Sequence, residues 1–151
     1  MLLPFRNQPP APRLREGYRL VSEGLPDLSA LDTLLVQTGE RARGEERWRR
    51  VLERSLWHLH ILNQHEQLVG FVRSTSDLAL NANLWDLWAD AGDPTQPELL
   101  LALVQASLGK LRRELPGCSI SLSAPPEAIK ALQRQGFVVD PGGIRAMGRM
   151  L

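Results

Sequence analysis

The chain has little of the chemistry that extracellular, membrane and nucleic-acid-binding proteins display. Its single cysteine, Cys118, excludes a disulfide within the chain. No apolar run approaches the roughly 20 residues of a membrane-spanning helix, and no signal-peptide core is recognisable. The 18 basic and 17 acidic residues leave a net charge of +1, which is too small to steer the protein to nucleic acid or to a membrane surface. These absences predict a cytoplasmic protein without a nucleic-acid or membrane partner.

Residues that commonly bind metals or carry catalysis are also few. The chain has 3 histidines and 1 tyrosine. His58 and His60 lie two positions apart in a predicted strand, so they share one of its faces. A metal would need a third ligand, and His65 and Glu66 lie in the following turn without ligand spacing. We therefore predict no metal site, a half-exposed histidine face and, at Cys118, a small buried thiol.

The 151 residues suffice for one domain with a substantial core. Residues 1–16 are rich in proline and arginine and lack apolar periodicity, which favours a flexible arm. Residues 17–151 alternate between helix and strand patterns, which is typical of a single α/β domain. The predicted strands are Tyr18–Val21, Leu56–Leu62, Leu68–Ser76, Leu84–Ala89, Cys118–Ala124 and two in Phe137–Leu151; the predicted helices are Leu28–Thr38, Glu45–Arg54, Leu99–Leu115 and Pro125–Gly136. Ser29 and Asp32 have the arrangement of a capping box at the first helix.

The centre of this pattern is Leu68–Asp90, where two adjacent strands lead into a proline-rich loop and a long helix. Asp86 lies within the second strand, between Trp85 and Trp88. A carboxylate among apolar neighbours needs a hydrogen-bonding partner, because its burial is costly without one. Asp86 is therefore either a functional group in a cleft or a structural carboxylate bonded to the backbone or to Arg73.

Two blocks of sequence resemble one enzyme superfamily. They read Gly70-Phe71-x-Arg73-x-x-Ser76-Asp77 with Asn81-Ala82-x-Leu84-Trp85-Asp86, and Gly136-Phe137-x-x-Asp140-Pro141-x-Gly143-Ile144-x-x-Met147. Both resemble GNAT N-acetyltransferases, most closely the serotonin-acetyltransferase-like branch of cyanobacteria and plastids, and the likeness runs from about Tyr18 to the end. It implies a mixed, twisted sheet of about six or seven strands with helices on both faces. It also implies acetyl transfer from acetyl-CoA to an amine.

The resemblance implies two contacts for acetyl-CoA. The pantetheine arm would pair with strand backbone, and the pyrophosphate would rest on amides at the N-terminus of the next helix. In the family that loop follows Gln/Arg-x-x-Gly-x-Gly/Ala, because glycines let free amides approach the phosphates. The positions of this chain that correspond to the two contacts are Leu87, Trp88 and Ala89 for the arm, and Thr95, Gln96, Glu98 and Leu99 for the pyrophosphate.

The loop of this chain departs from the family pattern. Pro94 stands at the Gln/Arg position, and Pro97 and Leu99 stand at the two glycines. Proline has no amide donor, and Asp93 and Glu98 add negative charge beside the place of a polyanion. If the alignment to the motif is shifted so that a glutamine takes the Gln/Arg position, no glycine follows at the glycine positions. The loop keeps a helix-start signal, since proline fits the first helical turn, but it lacks the phosphate-binding chemistry.

Catalytic groups are sparse by the same comparison. GNAT enzymes need a base for the proton of the amine and an acid for the departing thiolate, commonly a tyrosine before the final Gly-Phe. Leu132 occupies that tyrosine position, and Pro125 occupies the place of an acidic residue after the fifth strand. Asp86 alone matches a family acidic position, so it is the one catalytic candidate. The structural alternative for Asp86 stays open beside it.

The first two helices border the acceptor substrate in GNAT proteins. In this chain their connection and the second helix carry a basic run interleaved with glutamates, Arg41, Arg43, Arg47, Arg49 and Arg50. Such a run indicates either a site for an acidic ligand or a solvated helix face. The four tryptophans lack interleaved basic residues, so we expect them in the core and the cleft wall.

Two functional hypotheses follow. One is a GNAT N-acetyltransferase that uses acetyl-CoA, bound weakly, and an unidentified amine acceptor. The alternative is a catalytically inactive GNAT-fold binding or regulatory module that acts through a protein partner or as a homodimer. Strand backbone can pair with pantetheine under either hypothesis, so weak CoA binding fits both, and tight acetyl-CoA binding is the property that distinguishes them.

Overall fold

A computed structural model describes residues 13–151. The predicted arm lies outside the described residues except for its last four, so its flexibility stays a prediction. The described residues form one sheet in the order β1-β2-β3-β4-β5. The strands are β1 Arg19–Val21, β2 Trp57–Leu62, β3 Leu68–Ser76, β4 Asn81–Ala89 and β5 Ser119–Ser121. The first four are antiparallel neighbours, whereas β5 runs parallel to β4.

The sheet has five strands in the described part of the chain, so the prediction of six or seven is wrong there. Both missing strands were expected in residues 137–151, where Pro141–Gly143 form a 3-10 turn and residues 138–151 are exposed throughout. Asp140 enters that turn with a left-handed backbone, φ 46°. Val138 and Ile144 are 71% and 73% exposed. An apolar pattern makes a stable strand only against a partner edge and a covered face, and this segment has neither here.

Helices cover both faces of the sheet, as the resemblance implies. They are α1 Leu28–Gln37, α2 Glu45–Arg54, α3 Gln96–Glu114 and α4 Ile129–Arg134. The first two pack in one apolar cluster and the last two in another. Phe71 and Val72 are adjacent in β3 yet belong to different clusters, because successive side chains of a strand point to opposite faces.

The bounds of α2 and β3 are those that the sequence predicts, and other elements differ by a few residues. The capping box at α1 is wrong: the helix already begins at Leu28, and Asp27 caps it by accepting from the amide of Ala30 at 3.1 Å. The helix expected over residues 125–136 divides into a 3-10 turn, Pro126–Ala128, and α4.

Candidate functional site

A β-bulge shapes the middle of β4. Phe71 pairs with Trp88, and Arg73 pairs with Trp85. Between these pairs, two residues of β4 therefore lie opposite a single residue of β3. One of the two is Asp86, whose φ of 56° lies in the left-handed region. A residue with a side chain adopts this conformation at a cost that surrounding contacts must offset. The contacts of the Asp86 side chain provide this compensation.

Two arginines hold the Asp86 carboxylate, whose side chain is 8% exposed. Arg43 donates from Nη1 to Oδ2 and from Nη2 to Oδ1, both at 2.9 Å. Arg73 donates from Nε to Oδ2 at 2.6 Å. The Arg73 contact is the one expected of a structural carboxylate, whereas the sequence placed Arg43 in a basic run without connecting it to Asp86. The arginines use most of the lone-pair positions of the carboxylate, so a catalytic role for Asp86 would require one of them to withdraw, and that role stays a prediction.

Asp32 of α1 positions the segment that carries Arg43. Its Oδ1 accepts from the Arg43 amide at 2.9 Å and from Trp48 Nε1 at 2.7 Å, and its Oδ2 accepts from the Gly44 amide at 2.9 Å. Burial opposes ionisation of Asp32, but the hydrogen bonds from these three groups outweigh it and hold the pKa of Asp32 below its ordinary value. Asp32 thereby connects α1 to the start of α2.

The guanidinium of Arg43 lies between two indole rings. Its Cζ is 4.6 Å from the ring centroid of Trp48 and 5.5 Å from that of Trp88. Burial disfavours the charge, but the hydrogen bonds and charge of Asp86 raise the pKa of Arg43 above its ordinary value. The later arginines of the basic run, Arg49 and Arg50, pair with glutamates one turn earlier on an exposed helix face. Arg43, by contrast, does not lie on this solvated helix face.

Every backbone N–H from Asp90 to Leu99 has an acceptor inside the protein, at 2.8–3.1 Å. The amides of Asp90, Ala91, Gly92 and Asp93 donate to Val69 O, Gln37 Oε1, Asp90 Oδ1 and Asp90 O. Those of Thr95, Gln96, Glu98 and Leu99 donate to Asp93 Oδ1, Asp93 O, Thr95 O and Thr95 O. Pro94 and Pro97 have no N–H. Within the described residues, the first turn of α3 therefore has no free backbone amide.

The carboxylate of Asp93 lies against the N-terminus of α3. Its Oδ1 accepts from the Thr95 amide at 2.8 Å and the Thr95 hydroxyl at 2.7 Å, and its Oδ2 accepts from the Tyr18 hydroxyl at 2.8 Å. Burial would raise the pKa of Asp93, but the hydrogen bonds from Thr95 and Tyr18 hold it below its ordinary value. A carboxylate of the protein thus occupies the helix end that would attract a bound anion.

The histidine pair is more buried than predicted. His60 is 4% exposed, so a half-exposed face is wrong for this residue. Its ring stacks on His58 at 6.2 Å, and His58 in turn stacks on Phe71 and contacts the carbonyl oxygen of Gly24 at 3.1 Å. Burial, together with the charges of His58 and Arg19, lowers the pKa of His60 to about 4.

Three further observations concern residues 13–151. In that range no group of three or more His, Cys, Asp or Glu side chains is arranged to hold a metal ion. Cys118 is partly exposed rather than buried, because β5 begins only after it. No helix within these residues combines the length and the apolar character that crossing a membrane requires.

Known proteins resemble this chain in sequence and in architecture. The chain is 32% identical over 137 residues to serotonin N-acetyltransferase 2, chloroplastic, of Oryza sativa subsp. japonica, covering 87% of this chain and 66% of the rice protein. A probable acetyltransferase from meticillin-resistant Staphylococcus aureus superposes with a TM-score of 0.76 at 15% identity, covering 89% of this chain and 99% of that one. The chain belongs to the GNAT superfamily. No protein-family model matches it.

GNAT relatives with longer chains match only in part. GCN5-related N-acetyltransferase 2, chloroplastic, of Arabidopsis thaliana is 34% identical over 91 residues, which is 56% of this chain and 32% of the Arabidopsis protein. The match therefore spans about a third of that relative. The chain is a GNAT N-acetyltransferase-like protein, and its own activity has to be argued from its residues.

The residues that the GNAT resemblance assigns to acetyl-CoA lie together where β4 ends and α3 begins; they are Leu87, Trp88, Ala89, Thr95, Gln96, Glu98 and Leu99. The Ala89 carbonyl, on the backbone expected to pair with pantetheine, accepts from Gln96 Nε2 at 3.0 Å. Leu99 is 1% exposed and packs in the core instead of leaving room for a phosphate. The cofactor-binding role of these positions stays a prediction.

Beyond this GNAT loop, a cavity of about 450 Å³ lies where β4 and β5 part. The two strands pair only from Asn81–Asn83 to Ser119–Ser121. Leu84, Trp85 and Leu132 line the cavity, so the position of the family tyrosine faces it with an apolar side chain.

Proposed function

We propose that this chain is a GNAT-fold binding module that does not hold acetyl-CoA by its pyrophosphate and therefore does not turn over acetyl groups efficiently. The observation that carries the proposal is the hydrogen bonding of the loop from Asp90 to Leu99. Every backbone N–H of this loop already has an acceptor within the protein, and the two prolines have no N–H. A pyrophosphate would have to break these bonds before it could form its own.

The electrostatics of the same loop support the proposal. Backbone amides and the helix dipole attract anions at a helix N-terminus. Here the Asp93 carboxylate already takes that place, and Glu98 stands in the first helical turn. A polyanionic cofactor would meet like charge at the site where it normally finds its strongest contacts.

The catalytic groups support it as well. Leu132 cannot donate a proton to a departing thiolate. Asp86 matches a family acidic position, but it is bonded to Arg43 and Arg73. An amine would have to displace a bidentate arginine to reach this carboxylate.

A second candidate function is acetyl transfer with weakly bound acetyl-CoA and an amine acceptor. The cavity between β4 and β5 favours it, because an acetyl group or a small amine would fit there. The similarity to a protein named serotonin N-acetyltransferase points the same way. The cytoplasmic location, the cyanobacterial origin and a homodimeric state are further proposals that accompany either function.

Calorimetric titration of the protein with acetyl-CoA and with CoA distinguishes the two functions. We expect no saturable heat at millimolar ligand and an unchanged melting temperature with excess ligand. Saturable binding tighter than about 0.1 mM, roughly 5.5 kcal/mol, would overturn the proposed loss of cofactor binding. That result would justify an amine screen.

A further inference from the structure

The guanidinium of Arg43 is enclosed on three sides. The rings of Trp48 and Trp88 lie 4.6 and 5.5 Å from its Cζ, and the Asp86 carboxylate meets it edge-on through two bonds of 2.9 Å. The two rings stand nearly perpendicular to each other, at 87° and 6.1 Å between centroids. We call Trp48, Trp88 and Asp86 the cage. Aromatic faces combined with a carboxylate are the groups with which proteins bind organic cations.

Each wall of the cage is held by contacts that do not involve the guanidinium. Trp48 is fully buried, donates from Nε1 to Asp32 and packs edge-on against Phe71. Trp88 is 6% exposed within β4. Asp86 keeps its 2.6 Å bond to Arg73. The cage should therefore retain its shape when the Arg43 side chain is absent.

Arg43 reaches the cage from a segment with no helix or strand. Residues 38–44 connect α1 to α2, and Gly39 and Gly44 within this segment have φ of 90° and 83°, which favours glycine. The side chain of Arg43 is 23% exposed, so the cage opens at the protein surface.

We propose that the cage is a binding site for an alkylguanidinium group, which Arg43 fills from within the chain and thereby keeps closed. This inference goes beyond the proposed function and does not rest on the loop before α3. Its test uses a different ligand, so the two proposals fail separately.

The test replaces the side chain with a free ligand of the same atoms. Arg43→Ala removes Cγ through the guanidinium, and ethylguanidinium restores those atoms. We expect saturable binding of ethylguanidinium, seen as a change in tryptophan fluorescence and a rise in melting temperature of about 3 °C or more at saturation. Ethylurea has a similar shape without the charge and should have no such effect. Wild-type protein should not respond, because Arg43 fills the cage.

Arg50→Ala is the matched control, since Arg50 lies on an exposed face and has only Glu46 as an ion-pair partner among residues 13–151. The double variant Arg43→Ala/Asp86→Asn should lose the response. Equal responses of Arg43→Ala and Arg50→Ala, of ethylguanidinium and ethylurea, or of variant and wild type would each overturn the proposal. If Arg43→Ala does not fold, Arg43→Ser retains one more atom of the stem and leaves the space that methylguanidinium fills, and absence of binding there would overturn the proposal equally.

Discussion

Arg43 and Asp86 form a two-point ion pair, with both terminal nitrogens of the guanidinium 2.9 Å from separate carboxylate oxygens. The two residues are 43 positions apart in sequence, and the pair joins the α1–α2 connection to the bulge of β4. Arg73 completes the group from β3. Asp86, the acid that the GNAT resemblance suggests for catalysis, is thus bonded to two cations of the protein itself.

Removing the carboxylate should destabilise the fold strongly. Asp86→Ala leaves two partly buried guanidinium groups without their partner, so we expect the free energy of unfolding to fall by about 3 kcal/mol. Urea denaturation followed by tryptophan fluorescence measures this loss. Glu46→Ala breaks an exposed ion pair with Arg50 and should change stability little. Equal effects of the two variants would show that the Asp86 group contributes no more than a surface pair.

Stability should decrease between pH 6.5 and pH 4 because of His60. Its pKa is about 4 in the folded protein and near 6.5 in the unfolded chain. In that window the unfolded state binds the proton and the folded state does not, so each step toward acid favours unfolding. We expect a loss of about 2.5 kcal/mol across the window.

Variants of the histidines test the assignment of this loss. Urea denaturation at several pH values should show a flatter dependence for His60→Phe than for the wild type. His65→Gln changes an exposed histidine in the β2–β3 turn and should keep the wild-type slope. An unchanged slope in His60→Phe would assign the pH dependence to other groups.

The Asp93 carboxylate should stabilise the start of α3. Asp93→Ala removes the acceptor of the Thr95 amide and hydroxyl, both buried, so we expect a loss of about 2 kcal/mol in the free energy of unfolding. Thermal denaturation of this variant and of Glu98→Ala, an exposed acid in the same loop, makes the comparison. A loss no larger than that of Glu98→Ala would mean that Asp93 does not stabilise the turn before α3.

Restoring the family loop should improve CoA binding at the expense of stability. In Pro94→Gln/Pro97→Gly/Leu99→Gly two amides return and the Leu99 side chain vacates the phosphate position. We expect at least a tenfold gain in CoA affinity, about 1.4 kcal/mol, by calorimetry. We also expect a loss of about 3 kcal/mol in stability, because Leu99 is 1% exposed in the core.

The double variant Pro94→Gln/Pro97→Gly is the control for this restoration, since it leaves Leu99 in place. It should remain close to the wild type in stability and gain little affinity. If the triple variant folds and shows no gain in CoA affinity, the loop is not what prevents binding, and the cleft between the strands must be closed by other residues.

Local pattern was sufficient for much of the fold. The bounds of Glu45–Arg54 and Leu68–Ser76 follow from helical and strand periodicity, because those patterns act over neighbouring residues. The motif around Asp86 indicated the GNAT fold, and the prolines of the loop indicated a missing amide donor, because proline has no N–H wherever it lies. The Arg73–Asp86 contact also could be anticipated, since both residues belong to adjacent predicted strands.

Only the tertiary structure decided which side chains meet across the fold. In the sequence, Arg43 is one member of a basic run that carries no sign of a contact with Asp86. That contact depends on how the α1–α2 connection folds over β4. Residues 137–151 carry an apolar pattern but form no strand, because a strand needs a partner edge that the pattern does not specify. The sequence by itself therefore determined most of the elements, the family and the loss of loop amides. The Arg43–Asp86 pair and the Tyr18–Asp93 bond join residues 43 and 75 positions apart, so they depend on long-range packing, which local residue patterns do not encode.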